Sequence, residues 1–261
     1  MRTLKIAATG MSAQQLRVEV IANNLANMST TGFNARRAEF ADLHYQQMER
    51  PGEINAADGT ILPTGIQLGL GVRPTSVSAM LEQGALKNTG NDLDLAIEGR
   101  GYFEVALPSG EPAYTRDGGL RRNAEGTIVT ADGFPVEPEI EIPEEATALA
   151  INPDGEVYAY FGDQIEAELL GRLTLASFVN PRGLEAMGNN LFTETEASGP
   201  ATIGDPGEDG LGLINQGYLE ESTVDAVNEV TELIEAQRGY ELNAKVITAA
   251  DEMMAVTAQV R

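Results

Sequence analysis

The sequence predicts an α+β protein, with long N- and C-terminal helices forming a coiled-coil-like inner domain and two mainly antiparallel β domains between them. Three observations carry this. All twelve prolines fall between Pro51 and Pro206. Of the 28 glycines, only Gly10, Gly32 and Gly239 lie before residue 52 or after residue 217. Pro and Gly disfavour helix interiors by about 3 and 1 kcal/mol respectively, so the ends are free to be helical while turns punctuate the middle. Apolar periodicity changes in the same places, from a heptad at both ends to strict alternation between them.

At the N terminus, Leu4, Met11, Val18 and Leu25 recur every seven residues beside Ala7, Gln14, Ile21 and Met28. Gln14 is the single polar member, and the pattern fits a helix with a coiled-coil seam. The run enters "ANNLANMSTTGF", residues 22–33. There Asn, Ser and Thr compete for backbone hydrogen bonds and Gly32 permits a left-handed turn, so the helix ends. "FADLHYQQM", around His44, reads as a further helix or helix end. Residues 46–74 carry Gly and Pro without an amphipathic period. Their apolar residues, Ile61 and Leu62 among them, suit an extended arm that lies against something.

The middle reads as strands. Leu93, Leu95 and Ile97 alternate with Asp94, Ala96 and Glu98, and Phe103, Val105 and Leu107 resume the alternation after "EGRG". "YTRDGGLRRNAEGTIVTADGFPV" holds three turn signals between short β-rich runs, and "INPDGEVYAYFG" adds another hairpin. Short strands with no intervening helices favour an antiparallel sandwich or barrel over an α/β fold.

At the C-terminal end Ala226, Leu233, Tyr240, Ile247 and Met254 repeat every seven residues beside Val230, Gln237, Ala244, Asp251 and Ala258. Ser222 is the expected N-cap, with Asp225 three residues on. A helix over 223–261 would be roughly 58 Å long. Second faces bearing Ala13, Val20, Val227 and Ile234 hold more apolar surface than one helix partner covers. Two readings follow: a helical hairpin that caps a β domain, or contact with other copies.

Bulk properties narrow the chemistry. A net charge of −23 argues against a nucleic-acid binder, which needs clustered Lys and Arg. With no cysteine and one histidine, disulfides, zinc-thiolate sites and cysteine nucleophiles are excluded. No apolar run is long enough to span a membrane. The first twenty residues carry charges where a signal peptide has its apolar region, so any exit from the cytoplasm would use another route. "GLGVRP" lacks the Gly-Lys-Ser/Thr ending of a P-loop. Asp94 and Glu98 fall on the polar face of an alternating strand, and "NPDGE" reads as a turn. No catalytic, metal or cofactor residue is expected.

"VIANNLANMSTTGFNARRAEF" resembles the N-terminal signature of the bacterial flagellar rod and hook axial proteins, and "VNEVTELIEAQRGYELNAKVITAADEMM" resembles their C-terminal signature. "GLGVRPTSV", "NTGNDLDLAIEGRGYFEV" and "YTRDG" are similar to the distal-rod branch of that family. Asn34 departs from a common Lys after Gly-Phe, with Arg36 and Arg37 supplying charge nearby. The likeness implies a structural subunit that polymerises helically into a hollow, rigid driveshaft with an export channel; a proximal-rod or short hook-like subunit is the alternative.

The resemblance also implies an organisation and a set of partners. Residues 1–37 and 222–261 would form the inner helical assembly domain. Residues 38–96 and 186–221 would form a linking β domain that includes the arm 46–74, and 97–185 an outer β domain. Implied contacts in self-assembly are Leu4, Met11, Val18, Asn23, Asn24, Leu25, Asn27, Thr31, Gly32 and Phe33; Ile61 and Leu62; and Leu233, Gln237, Arg238, Tyr240, Glu241, Asn243, Ile247 and Met254. Implied partners are further copies of the chain, proximal rod proteins, the hook protein, the P-ring and L-ring proteins and the flagellar export apparatus, with no nucleic acid and no direct membrane insertion. The implied place is the basal-body rod across the periplasm, reached by the flagellar type III pathway without a cleavable signal peptide.

Overall fold

A computed structural model describes residues 2–49, 65–162 and 167–259. The chain divides into two compact units, one of residues 1–26, 36–78 and 225–261, the other of residues 27–35 and 79–224.

The first unit holds α1 (Arg2–Ala26), β1 (Arg36–Asp42), β2 (Tyr45–Glu49), β3 (Ile66–Gly69), β4 (Val72–Ala79) and α2 (Ala226–Gln259). The helices are antiparallel: Gly10 lies against Asn243, Gln14 against Gly239, and Arg17 pairs with Glu232. At about 1.5 Å per residue, α1 runs roughly 38 Å and α2 roughly 51 Å. β1 pairs with β4, and β2 pairs antiparallel with β3. The stretch around His44 is therefore a strand junction and not a helix. Leu43 N donates to Gly71 O and Leu70 N donates to His44 O, so this backbone is spent on ladder bonds between strands. Residues 66–69 of the expected arm are strand, while Ile61 and Leu62 lie outside the described residues.

The second unit is antiparallel β structure. In chain order it holds β5 (Leu86–Asn88), β6 (Leu95–Glu98), β7 (Phe103–Ala106), β8 (Pro112–Thr115), β9 (Arg121–Arg122), β10 (Ile128–Val129), β11 (Val136–Glu137) and β12 (Ala146–Ile151). It continues with β13 (Glu156–Phe161), β14 (Glu168–Arg172), β15 (Leu175–Ser177), β16 (Glu185–Gly188), β17 (Leu191–Thr193), β18 (Thr202–Gly204), β19 (Leu213–Gln216) and β20 (Tyr218–Glu220). The largest sheet runs β11-β7-β8-β17-β16, beside a three-stranded β12-β13-β14 meander. Shorter pairs β6–β19 and β5–β20 tie the strands near residue 90 to those near 215.

The turn signals act as the sequence implies. Asn123 accepts from Glu125 N and Thr127 N between β9 and β10, and Gly155 N donates to Asn152 O between β12 and β13. Phe103 lies in one core with Leu95, Ile97, Leu120 and Ile214, and Val105 is buried as well. Ala96 is buried as well, because β6 is covered on both faces. A smaller core on the opposite face of β7 joins Tyr102, Tyr114 and Phe178, whose rings meet edge to face, an arrangement favoured by the aromatic quadrupole.

Candidate self-assembly surface

Small residues bring the two helices together. Ala7, Ala13 and Ile21 of α1 are buried, as are Ala236 and Ala250 of α2. A Cβ at Gly239 would come within 3.2 Å of the Gln14 side chain. The row Leu4, Met11, Val18, Leu25 flanks this seam, half-buried. On α2 the second row is 229, 236, 243, 250, one position before the expected 230, 237, 244, 251. A count of apolar side chains favours Val230, but backbones approach most closely where side chains are small.

Asp225 caps α2, accepting from Val227 N and Asn228 N. Ser222 instead accepts from Val224 N in a tight turn. The expected cap is displaced because Asp225 immediately precedes the first helical residue and reaches the second and third helical amides.

Asn24 is the organising polar residue of the first unit. Its side chain is buried; it donates to Arg36 O (2.8 Å) and to Glu229 Oε1 (3.0 Å) and accepts from Arg36 N (2.9 Å). It thus joins the last turn of α1 to the start of β1 and to α2. Burial pushes the Glu229 carboxyl above its ordinary range, with Glu232 and Asp225 adding and the Asn24 bond opposing. Its Oε2 and the Gln14 Oε1 are buried without a hydrogen-bond partner.

The "STTGF" segment belongs to the second unit and is strapped down there. Gly32 adopts φ +65°, its N–H donates to Glu220 O (2.9 Å), and Asn190 Nδ2 donates to Thr31 O. Ala35 N donates to Thr223 Oγ1, and Thr223 N donates to Phe33 O. Beneath the strap Arg116 donates to Glu220 Oε2 (2.7 Å) and to the carbonyls of Gly99 and Gly101, with side chains only 10% and 2% exposed. Gln83 grips the same turn through Ile97 O and Gly99 N. Sequence reasoning passed over Arg116, Glu220 and Gln83. The one local signal was an arginine inside "YTRDGG", and its partner lies 104 positions away.

The outward face of α2 mixes apolar side chains with charges. Val227 is 75% exposed, Leu242 62% and Met253 64%, with Val230, Ile234 and Val256 on the same face between the exposed Arg238, Glu241, Lys245 and Glu252. Among the expected contacts, Val18, Gln237, Tyr240 and Glu241 come together around an open groove of about 550 Å³. Leu233, Asn243 and Ile247 are half-buried toward the seam; Arg238 and Met254 are exposed. Asn23 is exposed, whereas Asn27, Thr31 and Phe33 are half-buried. Among the described residues no helix is long and apolar enough to cross a membrane.

Three stretches of the chain place it among flagellar axial proteins. Residues 4–34 match the family described as "Flagella basal body rod protein", residues 96–159 the "Flagellar hook protein FlgE/F/G D1 domain", and residues 215–260 the "Flagellar basal body rod FlgEFG protein C-terminal". The chain is 52% identical over 261 residues to the flagellar basal-body rod protein FlgG of Caulobacter vibrioides, covering 100% of both. It is 48% identical to FlgG of Agrobacterium fabrum, over 99% of each chain, and 37% identical to FlgG of Bacillus subtilis, over 97% of each. The chain belongs to the flagellar basal-body rod protein FlgG family.

Proposed function

We infer that this chain is a structural subunit of the flagellar distal rod, its copies adding helically around a central channel. The observation that carries this reading is the exposed apolar set Val227, Leu242 and Met253 along an α2 whose fully buried residues, among those described, are Ala236 and Ala250. Covering such a face on neighbouring copies supplies about 25 cal/mol per Å² of apolar surface. A heterologous contact that does not close yields a filament. The expected contacts from Leu4 to Phe33 and from Leu233 to Met254 belong to that interface, and the arm 46–74, with Ile61 and Leu62, wedges between copies.

The finer organisation belongs to the same proposal. Residues 1–37 and 222–261 form the inner assembly domain, 97–185 the outer β domain, and the remainder links them. The rod spans the periplasm inside the P and L rings, follows the proximal rod proteins, and passes motor torque to the hook. Subunits reach the tip through the flagellar export apparatus.

The test is retention in purified, detergent- and salt-stripped basal bodies, quantified by peptide mass spectrometry. Wild-type chain should be retained in excess over proximal-rod subunits. Val227→Asp with Leu242→Asp should be lost from them while the β unit stays folded in the soluble fraction. Retention of that double variant at wild-type level would overturn the reading.

A further inference from the structure

We propose that the β unit carries a head-to-tail contact between copies of this chain, in which a basic, apolar groove at one end of β7 receives the acidic end of β7 of the next copy. It rests on the polymer reading above and adds the partner surfaces. The groove, about 410 Å³, is lined by Leu81, Tyr102, Phe178 and Val179 with Arg100 and Arg116 against a single carboxylate, Glu82. Val179 is 91% exposed, a large apolar side chain held out beside the buried Phe178. In a chain of net charge −23, Arg100 lines this groove and Arg182 follows on the adjoining turn (Pro181–Gly183), both exposed. Neither pairs with a carboxylate among the described residues.

At the other end of β7 lies a second hollow of about 430 Å³, lined by Glu104, Glu111 and Glu137 with the exposed Ile203. No Lys or Arg pairs with these carboxylates among the described residues. Burial, then the neighbouring Glu137 and Glu194, pushes the Glu104 carboxyl up. This is like-charge crowding that a cation from outside would relieve. Each patch therefore lacks what the other carries: unpaired guanidinium beside Val179, and unpaired carboxylate beside Ile203. Charge complementarity of this kind fixes register and excludes wrong partners.

The two patches share a face. Tyr102 and Glu104 alternate with Phe103 and Val105, which are both fully buried. Along the strand the nearest lining residues of the two patches, Tyr102 and Glu104, are two positions apart, roughly 7 Å at about 3.3 Å per residue. On the polymer reading the copies are related by a helical operator and not by a two-fold axis, so the groove of one copy meets the acidic hollow of the next and the contact repeats from copy to copy.

The chain has no cysteine, so introduced thiols are unique labels. In rods isolated from cells expressing Val179→Cys with Glu111→Cys, a short bis-maleimide should yield a ladder of dimers and higher multimers. Each single variant alone should give monomer. The two single variants coexpressed should give the cross-linked dimer, which carries the test even if the double variant is not incorporated. Arg100→Glu with Arg182→Glu, added to the cysteine pair, should abolish the ladder. Rods that contain the cysteine variants but show only monomer would overturn the contact and leave the polymer reading standing. A ladder from either single variant would overturn it too, since like would then be meeting like. Absence of wild-type chain from the basal bodies would instead remove the polymer reading itself.

Discussion

At the scale of single residues, Gly32 and the Arg116–Glu220 pair decide how the α1 exit segment is held. Gly32 combines a left-handed φ with a tight approach: a Cβ there would lie 2.9 Å from Arg116 O. Gly32→Ala is expected to cost about 1–2 kcal/mol from the left-handed conformation alone, with the contact adding to it, read as a lower denaturant midpoint of the β unit. Arg116→Met leaves the Glu220 carboxylate buried without its cation and is expected to cost about 3–5 kcal/mol. Adding Glu220→Leu should recover part of that loss, and a double-mutant cycle by urea unfolding measures the coupling. The Gly was legible, because few residues serve a left-handed turn after a helix. The ion pair was not, because its halves lie in separate motifs and nothing local to Glu220 distinguishes it from the acidic residues around it.

At the scale of elements, the terminal helices were legible from where Pro and Gly are scarce, and the hairpins from their Asp-Gly and Asn-Ala-Glu-Gly turns. The helix seam was read less well. Heptad counting rewards large apolar residues, whereas this pair meets through Ala, Gly, Asn24 and Gln14, leaving Val227 and Leu242 outside. The helix expected near His44 failed because strand pairing, a long-range effect, outweighs local periodicity there. Two expectations follow for the pair. Its stability should depend on pH through Glu229, whose carboxyl sits above its ordinary value of 4.5 because it is buried. A raised folded value favours the folded state when the group is protonated. The contribution is complete below the ordinary value and is lost as pH rises through the folded one. Helicity by circular dichroism should therefore resist urea better at about pH 5 than at about pH 7 in the wild type, and equally at both in Glu229→Gln. A seam of small residues also buries little apolar area. In dilute monomer, amides of α1 and α2 should exchange much faster than those of β6, β7 and β8; protection throughout α1 equal to that of the β unit would contradict this.

At the scale of the whole molecule, the chain joins a well-buried β unit, with Phe103, Val105 and Leu95 at its centre, to a helical unit whose apolar surface is mostly turned outward. That asymmetry was legible in composition, since the turn-forming residues and most of the acidic charge keep to the middle of the chain. The register of the helix pair has a practical consequence. With Gly10 against Asn243 and Gln14 against Gly239, the start of α1 comes level with about Asp251. The final eight or so residues of α2, roughly 12 Å of helix, extend past it, with Met253 and Val256 more than half exposed. Such an overhang behaves like a cohesive end, and a fluorescent or affinity tag fused beyond it would crowd the exposed Val256. A tag threaded into the exposed turn at Gly210, where an added side chain meets open space, would leave that end free.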